Sequence, residues 1–295
     1  MFEELKQVLG GRKKTVVYIP NIGNAGDGFI AHATYQFFDR VGVSYKIGNL
    51  RGTYPGAVVV CPGGGALVKP YEHMINFLQR NLNAWEELII LPHTIRSYGD
   101  ILKQLKSNSY IFCREKGSYD FARSHATRAN VFLSDDLAFS CRFDETEKQM
   151  AIRTARDLAS YFVNFRRNMR LRKRLKADSQ RAVVMQPPGT LNAFRTDVEK
   201  TDISLPEGNI DISNAFGDNS MRPLVSLHTT YRMLQFLKQF RTIRTNRLHV
   251  SIMSAMLGLE VDLYDNNYGK NRDVFDHSMR IQYPNVRWHS EPPNS

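Results

Sequence analysis

Short apolar runs alternate with segments of helical periodicity over the first ~140 residues of the chain. The runs at 15–19, 57–61, 88–91, 110–113 and 130–133 are each four or five residues long, which is typical of buried strands. Between them, apolar side chains recur every three or four residues, as on one face of a helix. Strands that alternate with helices predict a parallel, doubly wound α/β sheet.

A second set of alternating elements follows residue 179. Apolar runs predict strands at 182–186, 242–244 and 260–264, and the segments 220–240 and 247–257 are helical in pattern. The last thirty or so residues contain several prolines, and we expect them to be irregular.

The segment between these two sets has no strand pattern. We therefore predict three parts: an N-terminal Rossmann-like domain over 1–143, a long connecting helix over 144–178, and a C-terminal Rossmann-like domain over 179–295. The helix carries a strongly basic stretch at 166–176. Ligands bind at the carboxyl ends of parallel strands and between domains, so we expect a site in a cleft between the two domains.

Composition limits the function classes. The chain has 295 residues, and 40 lysines and arginines against 29 acidic residues give a net charge of +11, which favours anionic partners. The three cysteines, Cys61, Cys113 and Cys141, are widely spaced, so neither a disulfide framework nor a zinc site is expected. No signal peptide and no run of ~18 apolar residues is present, which favours a cytoplasmic protein.

The start of the predicted helix after residue 246 is the most informative segment. We predict Asn246 as its N-cap, which places Arg247, Leu248 and His249 in the first turn. Free backbone amides and the helix dipole attract an anion there. Arg247 adds a fork for phosphate or carboxylate, His249 can transfer a proton, and Leu248 points to the core. The alternative is a solvated arginine beside a capping or core histidine.

Two glycine-rich segments follow predicted strands. The first, 21–28, leads into a helix predicted from about residue 29 to residue 40, and it lacks the Gly-Lys-Ser/Thr of a Walker A loop. Its Asn24 or Asp27 could bind sugar hydroxyls, and Asp27 could act as a base; the alternative is a tight turn with Asp27 as N-cap. The second is Gly63–Gly65, and three consecutive glycines favour a close ligand or backbone contact.

Other candidates follow the remaining strands. Arg114 and Ser118 lie one helical turn apart, and His93 follows the third strand, so each could line the cleft. Arg195 could reach an anion, with Asp197 orienting it. The alternatives are a surface helix start for Arg114 and Ser118 and a solvated loop for Arg195.

In order along the chain, these motifs resemble the polysaccharide pyruvyl transferase family. The resemblance extends from about residue 16 to residue 271. The segments that carry it are NIGNAGDGFIAHA, PGGG, LPHTIRS, FCREKGSYDFA, VFLSDDLAFS, FRTDVE, TNRLHVSIMSAMLG and VDLYDNNYGKN.

The resemblance implies a fold like the two-domain GT-B glycosyltransferases. It also implies transfer of the pyruvyl group of phosphoenolpyruvate, as a ketal, onto a sugar of a bacterial exopolysaccharide or cell-surface glycan. Phosphoenolpyruvate would be the donor substrate, a lipid-linked oligosaccharide or polysaccharide the acceptor, and no cofactor or metal is required.

The resemblance also implies roles for individual residues. Arg247, Leu248 and His249 would form the donor motif, with Arg195 as a second donor-binding arginine. His249 is then our candidate general acid. Asn24, Asp27 and the three glycines Gly63, Gly64 and Gly65 would face the acceptor, with Asp27 as candidate base.

Two other functions stay open at this point. A nucleotide-sugar glycosyltransferase of similar architecture would need a carboxylate for the ribose, such as Asp262 or Asp265. A non-catalytic anion- or nucleic-acid-binding protein would use the stretch 166–176, although no aromatic-interleaved nucleic-acid motif accompanies it, and no nucleic acid is expected as a partner. That stretch could also place the protein peripherally at the inner membrane, by contact with anionic lipid.

Overall fold

Two parallel β-sheets organise the part of the chain that the computed structural model describes, which is residues 2–156, 189–197, 199–200, 204–217 and 221–290. Every strand pair within them is parallel, which confirms the predicted α/β class. In a parallel sheet all carboxyl ends lie at one edge, so the loops that follow the strands can meet there.

The first sheet has seven strands in the order β2-β1-β3-β5-β6-β7, and β4 pairs with β5 beyond the end of β3. The strands are β1 (Val16–Tyr18), β2 (Tyr45–Ile47), β3 (Val58–Cys61), β4 (Gly64–Leu67), β5 (Glu87–Ile95), β6 (Ser109–Cys113) and β7 (Asn130–Leu133). The helices of this half are α1 (Glu3–Leu9), α2 (Ala25–Val41), α3 (His73–Asn81), α4 (Gly99–Leu102), α5 (Lys116–His125) and α6 (Phe143–Arg156).

The second sheet has four strands in the order β11-β10-β9-β8. The strands are β8 (Thr190–Asn192), β9 (Thr242–Thr245), β10 (Glu260–Tyr264) and β11 (Val286–His289). The helices are α7 (Ile212–Ala215), α8 (Pro223–Leu237), α9 (Leu248–Met256) and α10 (Lys270–Val274), and a π-helical turn, Phe275–Met279, follows α10.

Helix α2 begins four residues earlier than predicted, because a capping box stabilises its start. The side chain of Asn24 accepts a hydrogen bond from the backbone N–H of Gly26 (2.8 Å), and the carboxylate of Asp27 accepts one from that of Asn24 (3.0 Å). Asn24 is therefore the N-cap, and the expectation that Asp27 could have this role is wrong.

Strands β4 and β11 form where the sequence did not predict a strand. Part of the glycine run, for which no separate strand was predicted, forms β4, which pairs with the carboxyl half of β5. The C-terminal region, predicted to be irregular, contains β11, whose register with β10 pairs Val286 with Val261. Only its first residue, Val286, is buried, so β11 lacks the apolar run by which a buried strand is recognised in sequence.

The two sheets share one hydrophobic core through helices α2 and α8. Phe29 and Phe37 of α2 belong to the same buried cluster as Leu234 of α8. A Cβ atom on Gly28 would lie 2.7 Å from Cγ2 of Thr229, so only glycine permits this approach of the two helices. The start of α2 is thereby held against the second half of the chain.

The division into domains stays a prediction. Helix α6 runs from Phe143 to Arg156, while most of the predicted connecting helix, its basic stretch 166–176 and the predicted strand 182–186 lie outside the described residues. Among the helices of the described ranges, none has the length and apolar character required to cross a membrane.

Candidate active site

His249 joins the two halves of the chain. It lies in the first turn of α9, and its Nε2 atom is 3.3 Å from Oδ2 of Asp136, which follows β7. The same nitrogen is 3.4 Å from Nη1 of Arg114, which follows β6. The side chain of His249 is 15 % exposed, so the ring is enclosed and yet accessible.

Asp136 and Arg114 form a buried ion pair beneath this histidine. Nη1 of Arg114 donates to Oδ2 of Asp136 at 2.6 Å, and each side chain is 1 % exposed. Burial disfavours the charge of Asp136, but Arg114 and His249 outweigh it and hold the pKa of this carboxyl below its usual value. Oδ1 also accepts from the backbone N–H of Ala138 (2.9 Å), which fixes the carboxylate in place.

The second terminal nitrogen of Arg114 faces Gly65. Nε of Arg114 donates to Thr94 and Nη1 to Asp136, whereas Nη2 has no hydrogen-bond partner among the described residues. A Cβ atom built on Gly65 would lie 3.4 Å from Nη2 and 3.9 Å from the hydroxyl of Tyr268. A glycine at this position leaves room directly in front of a guanidinium nitrogen, which suits an anion.

Lys270 completes this group of residues. Its side chain is 9 % exposed, and Nζ donates to the hydroxyl of Tyr268 (2.9 Å) and to Oε2 of Glu199 (2.6 Å). Burial lowers the pKa of Lys270 to about 8, against the opposing effect of Glu199. We call Gly65, Arg114, Tyr268 and Lys270 the Gly65 site.

Glycines of the two glycine-rich segments border the same region. A Cβ atom on Gly26 would lie 2.7 Å from Nδ1 of His249, so the ring packs directly on the start of α2. A Cβ atom on Gly64 would lie 3.7 Å from Oδ1 of Asp27. Gly63 instead packs on the backbone, since its Cβ would be 2.9 Å from the carbonyl oxygen of Pro92.

The start of α9 differs by one residue from the prediction. Arg247 is the N-cap, not Asn246, whose Oδ1 accepts a hydrogen bond from the backbone N–H of Arg195 (2.8 Å). No side chain caps this helix, so the amides of Leu248 and His249 are available to an anion. The side chain of Leu248 is buried in the core, as predicted.

Arg195 and Arg247 are tied to carboxylates rather than free. Arg195 donates to Asp197 (2.8 and 3.1 Å) and to Glu199. Arg247 contacts Asp197 through Nη1 (2.7 Å) and donates to Asp211 through Nε (3.0 Å). Both arginines are 4 % exposed, and burial of a guanidinium requires such pairing.

Glu199 links these arginines to Lys270. Its carboxylate also accepts a hydrogen bond from the hydroxyl of Tyr71 (3.0 Å), a residue of the first half. Burial raises the proton affinity of Glu199, but Lys270 and Arg195 outweigh it, so its pKa is about 2. At Asp197, burial raises the pKa, but the charges of Arg195 and Arg247 lower it more, so the pKa of Asp197 is also about 2.

Two predicted cleft residues have structural contacts instead. His93 is fully buried: Nε2 accepts from the backbone N–H of Ala66 (2.7 Å), and Nδ1 donates to the carbonyl of Pro62 (3.0 Å). Burial lowers its pKa to about 3, so the ring is neutral and fixes the segment around β4. The hydroxyl of Ser118 accepts from the N–H of Ile95 (2.7 Å) and donates to Glu115, so it too is internal.

Three site residues were not predicted from the sequence. Asp136 lies in the motif SDD after β7, and Lys270 and Tyr268 lie in YGKN after β10. Both motifs follow strands, which is the signal that could have identified them. In the part of the chain that the structure describes, no group of three His, Cys, Asp or Glu side chains could hold a metal ion.

Known proteins resemble this chain over most of its length. The family model "Polysaccharide pyruvyl transferase" matches residues 24–261. A Bacillus subtilis (strain 168) protein named "Putative pyruvyl transferase EpsO" is 25 % identical, over 96 % of this chain and 92 % of that protein. The crystal structure of a functionally uncharacterised protein from Klebsiella pneumoniae subsp. pneumoniae NTUH-K2044 has a TM-score of 0.73 and 28 % identity, and the match covers 98 % of this chain and 95 % of that one.

Proposed function

Because this chain belongs to the polysaccharide pyruvyl transferase family, we propose that it transfers the pyruvyl group of phosphoenolpyruvate onto two hydroxyls of one sugar as a ketal. The acceptor would be a lipid-linked oligosaccharide or a polysaccharide of a bacterial exopolysaccharide or cell-surface glycan. In the overall reaction the two hydroxyls lose two protons. One proton ends on the methylene carbon, which becomes a methyl group, and the other leaves with the phosphate.

The contact of His249 with Asp136 is the observation that carries this proposal. An acid must protonate the methylene carbon, so that C2 becomes electrophilic and the phosphate can leave. Asp136 can accept the Nε2–H of His249, which fixes the orientation of the imidazole ring beside Arg114. We therefore assign the general-acid role to His249 and the positioning role to Asp136.

The Gly65 site is our proposed place for the charged groups of the donor. Phosphoenolpyruvate carries a phosphate and a carboxylate, and Nη2 of Arg114 and Nζ of Lys270 are donors suited to them. The uncapped amides at the start of α9 add donors beside His249. Arg195 and Arg247 would contribute to donor binding through the carboxylates that they hold, or by exchanging those carboxylates for the donor.

The acceptor sugar would lie on the other side of the glycine strand. Gly64 borders the carboxylate of Asp27 there, and Asn24 stabilises the start of α2 beside it. We also propose that the two sheets belong to two Rossmann-like domains in a GT-B-like arrangement. The protein would act in the cytoplasm, peripherally at the inner membrane if its acceptor is lipid-linked, and without a cofactor or metal.

A direct assay tests the proposal. Purified protein would be incubated with phosphoenolpyruvate and a set of glycan acceptors, and phosphate release and ketal formation would be measured. His249→Gln should abolish both while thermal unfolding stays unchanged. Thermal stabilisation by nucleotide sugars, with none by phosphoenolpyruvate, would overturn the proposal.

The structure gives less support to a nucleotide-sugar glycosyltransferase. Asp262, one of the two carboxylates that could bind a ribose, already accepts hydrogen bonds from Arg287 (3.0 Å) and His289 (2.8 Å). Asp265, the other candidate, accepts one from the backbone N–H of the residue that follows it (2.9 Å). The basic stretch 166–176, on which a non-catalytic binding protein would depend, lies outside the described residues.

A further inference from the structure

An amide side chain bridges Asp27 to a histidine that the reaction described above does not use. Asn21, which is 8 % exposed, donates from Nδ2 to Oδ1 of Asp27 at 2.7 Å. Its carbonyl oxygen Oδ1 lies 3.1 Å from Nε2 of His73, the first residue of α3.

These contacts determine which nitrogen of His73 carries the proton. An ionised carboxylate only accepts hydrogen bonds, so Asn21 must turn its amino group to Asp27. The carbonyl of Asn21 then faces His73 and can only accept, so Nε2 of a neutral His73 carries the hydrogen. Nδ1 is left with a lone pair, and in the described part of the chain no hydrogen bond engages it.

Chains of contacts connect His73 both to the acceptor-side glycines and to the donor-side cations. On one side, the Asn21 bridge connects it to Asp27, which borders Gly64. On the other side its ring stands edge-on to that of Tyr71, with centroids 6.2 Å apart. The hydroxyl of Tyr71 reaches Glu199, which holds Lys270. The residue as a whole is exposed, so an acceptor sugar can approach its ring.

Asp27, our candidate base from the sequence, is less suited to that task. One of its carboxylate oxygens accepts from Asn24 and the other from Asn21. Each carboxylate oxygen thus already holds a hydrogen bond from a neighbouring residue of this chain. Asp27 is therefore better placed to orient Asn21 than to remove a proton.

We propose that His73 is the general base for the acceptor sugar, with Asn21 and Asp27 as the residues that position it. This inference rests on the proposed pyruvyl transfer. As the attacking oxygen bonds to C2 of phosphoenolpyruvate, its O–H bond breaks and the proton moves to Nδ1 of His73. The methylene carbon takes its proton from His249. When the C2–O bond to phosphate breaks, His73 returns its proton to the departing phosphate. The oxygen of the second hydroxyl then bonds to C2 and closes the ketal, and its proton restores His249.

Acidic pH should then suppress catalysis by protonating Nδ1. Partial burial lowers the pKa of His73, and the charge of Asp27 opposes this; the net direction is downward. The other titratable groups nearby are Tyr71, the adjacent Glu72 and the buried, neutral His93. The acid limb of the rate profile is therefore expected below the usual range of a histidine.

The variant His73→Gln removes the proposed basic atom, Nδ1, and keeps a hydrogen-bond donor toward Asn21. A glutamine amide can replace Nε2–H toward Asn21 but has no basic atom in place of Nδ1. We expect kcat to fall about 100-fold or more, with the dissociation constant of phosphoenolpyruvate unchanged and the acid limb lost. In His73→Ala, added imidazole should restore part of the activity, which it would not do if the residue were merely structural.

Two further variants complete the test. In Asn21→Asp, the new carboxyl shares one proton with the adjacent Asp27 and places carboxylate charge against Nε2, so the acid limb should move to higher pH. His125→Gln, at the far end of α5, is the matched control and should behave as the wild type. A His73→Gln enzyme with unchanged kcat and an unchanged acid limb would overturn the inference alone. A wild-type protein that forms no ketal from phosphoenolpyruvate with any glycan acceptor would overturn the proposed function, and the inference with it.

Discussion

Oδ2 of Asp136 lies 3.3 Å from Nε2 of His249, although 113 residues separate them in the chain. The carboxylate comes from the edge of the first sheet and the imidazole from a helix of the second. The proposed general acid is therefore oriented only when both halves are folded and packed together.

Replacing Asp136 tests this relationship. Asp136→Asn should lower kcat about 100-fold, because an amide can present the wrong hydrogen-bonding group to His249. It should also destabilise the fold by about 3 kcal/mol, since Arg114 stays buried without its anion. Steady-state kinetics and denaturant unfolding measure the two effects.

The neighbouring Asp135 supplies the control for that experiment. Its carboxylate accepts from Ser278 (2.8 Å) and does not contact His249. Asp135→Asn should keep kcat within a few-fold of the wild type. Equal kcat values for the two variants would show that Asp136 does not position the acid.

The lowered pKa of Lys270 predicts an alkaline limb in the pH profile of the reaction. In the proposed donor site the charged form of Lys270 binds the anion. Because its pKa is lowered to about 8, kcat/KM for phosphoenolpyruvate should fall as the pH rises through about 8. Lys270→Arg stays charged throughout this range, and its profile should be flat there. Persistence of the limb in Lys270→Arg would assign it to another group.

Two glycines of the same segment should respond differently to alanine. In Gly65→Ala the new methyl group occupies the space before Nη2 of Arg114 at ordinary contact distance, so we expect a stable fold with KM for phosphoenolpyruvate raised at least tenfold. In Gly63→Ala the methyl group would be 2.9 Å from a backbone oxygen, so stability itself should fall. Thermal unfolding and donor titration distinguish the two; an unchanged KM in Gly65→Ala would argue against the Gly65 site.

Glu199 should contribute to stability in a pH-dependent way. Its pKa is about 2 in the folded state and near 4.5 when exposed, so its contribution is present above pH 4.5 and is lost as the pH falls toward 2. Glu199→Gln should be about 3 kcal/mol less stable than the wild type at pH 7, where it leaves buried cations unpaired. Urea unfolding at pH 7 and pH 3 should show the difference shrinking in acid; a constant difference would contradict this account.

Strands with a continuous apolar pattern were predictable. The runs at 130–133 and 260–264 coincide with β7 and β10, and those at 57–61 and 110–113 overlap β3 and β6 closely. Four strands without such a pattern were missed: β2 and β8, which are three residues long, β4, which begins with two glycines, and β11, which is mostly not buried. Their pairing depends on neighbours distant in sequence, so no local pattern reveals it.

The sequence by itself determined the α/β class, most strands, the glycine segments and the helix start that carries His249. These features follow from local rules, namely burial periodicity and the backbone freedom of glycine. The pairing of Arg195 with Asp197 was predicted, but only the tertiary structure decided that Arg247 is paired with carboxylates, that His93 is a buried neutral support, and that Asp136 and Lys270 belong to the site. Hydrogen bonds and ion pairs such as these depend on distances of a few ångströms between remote segments, and only the packed sheets establish those distances.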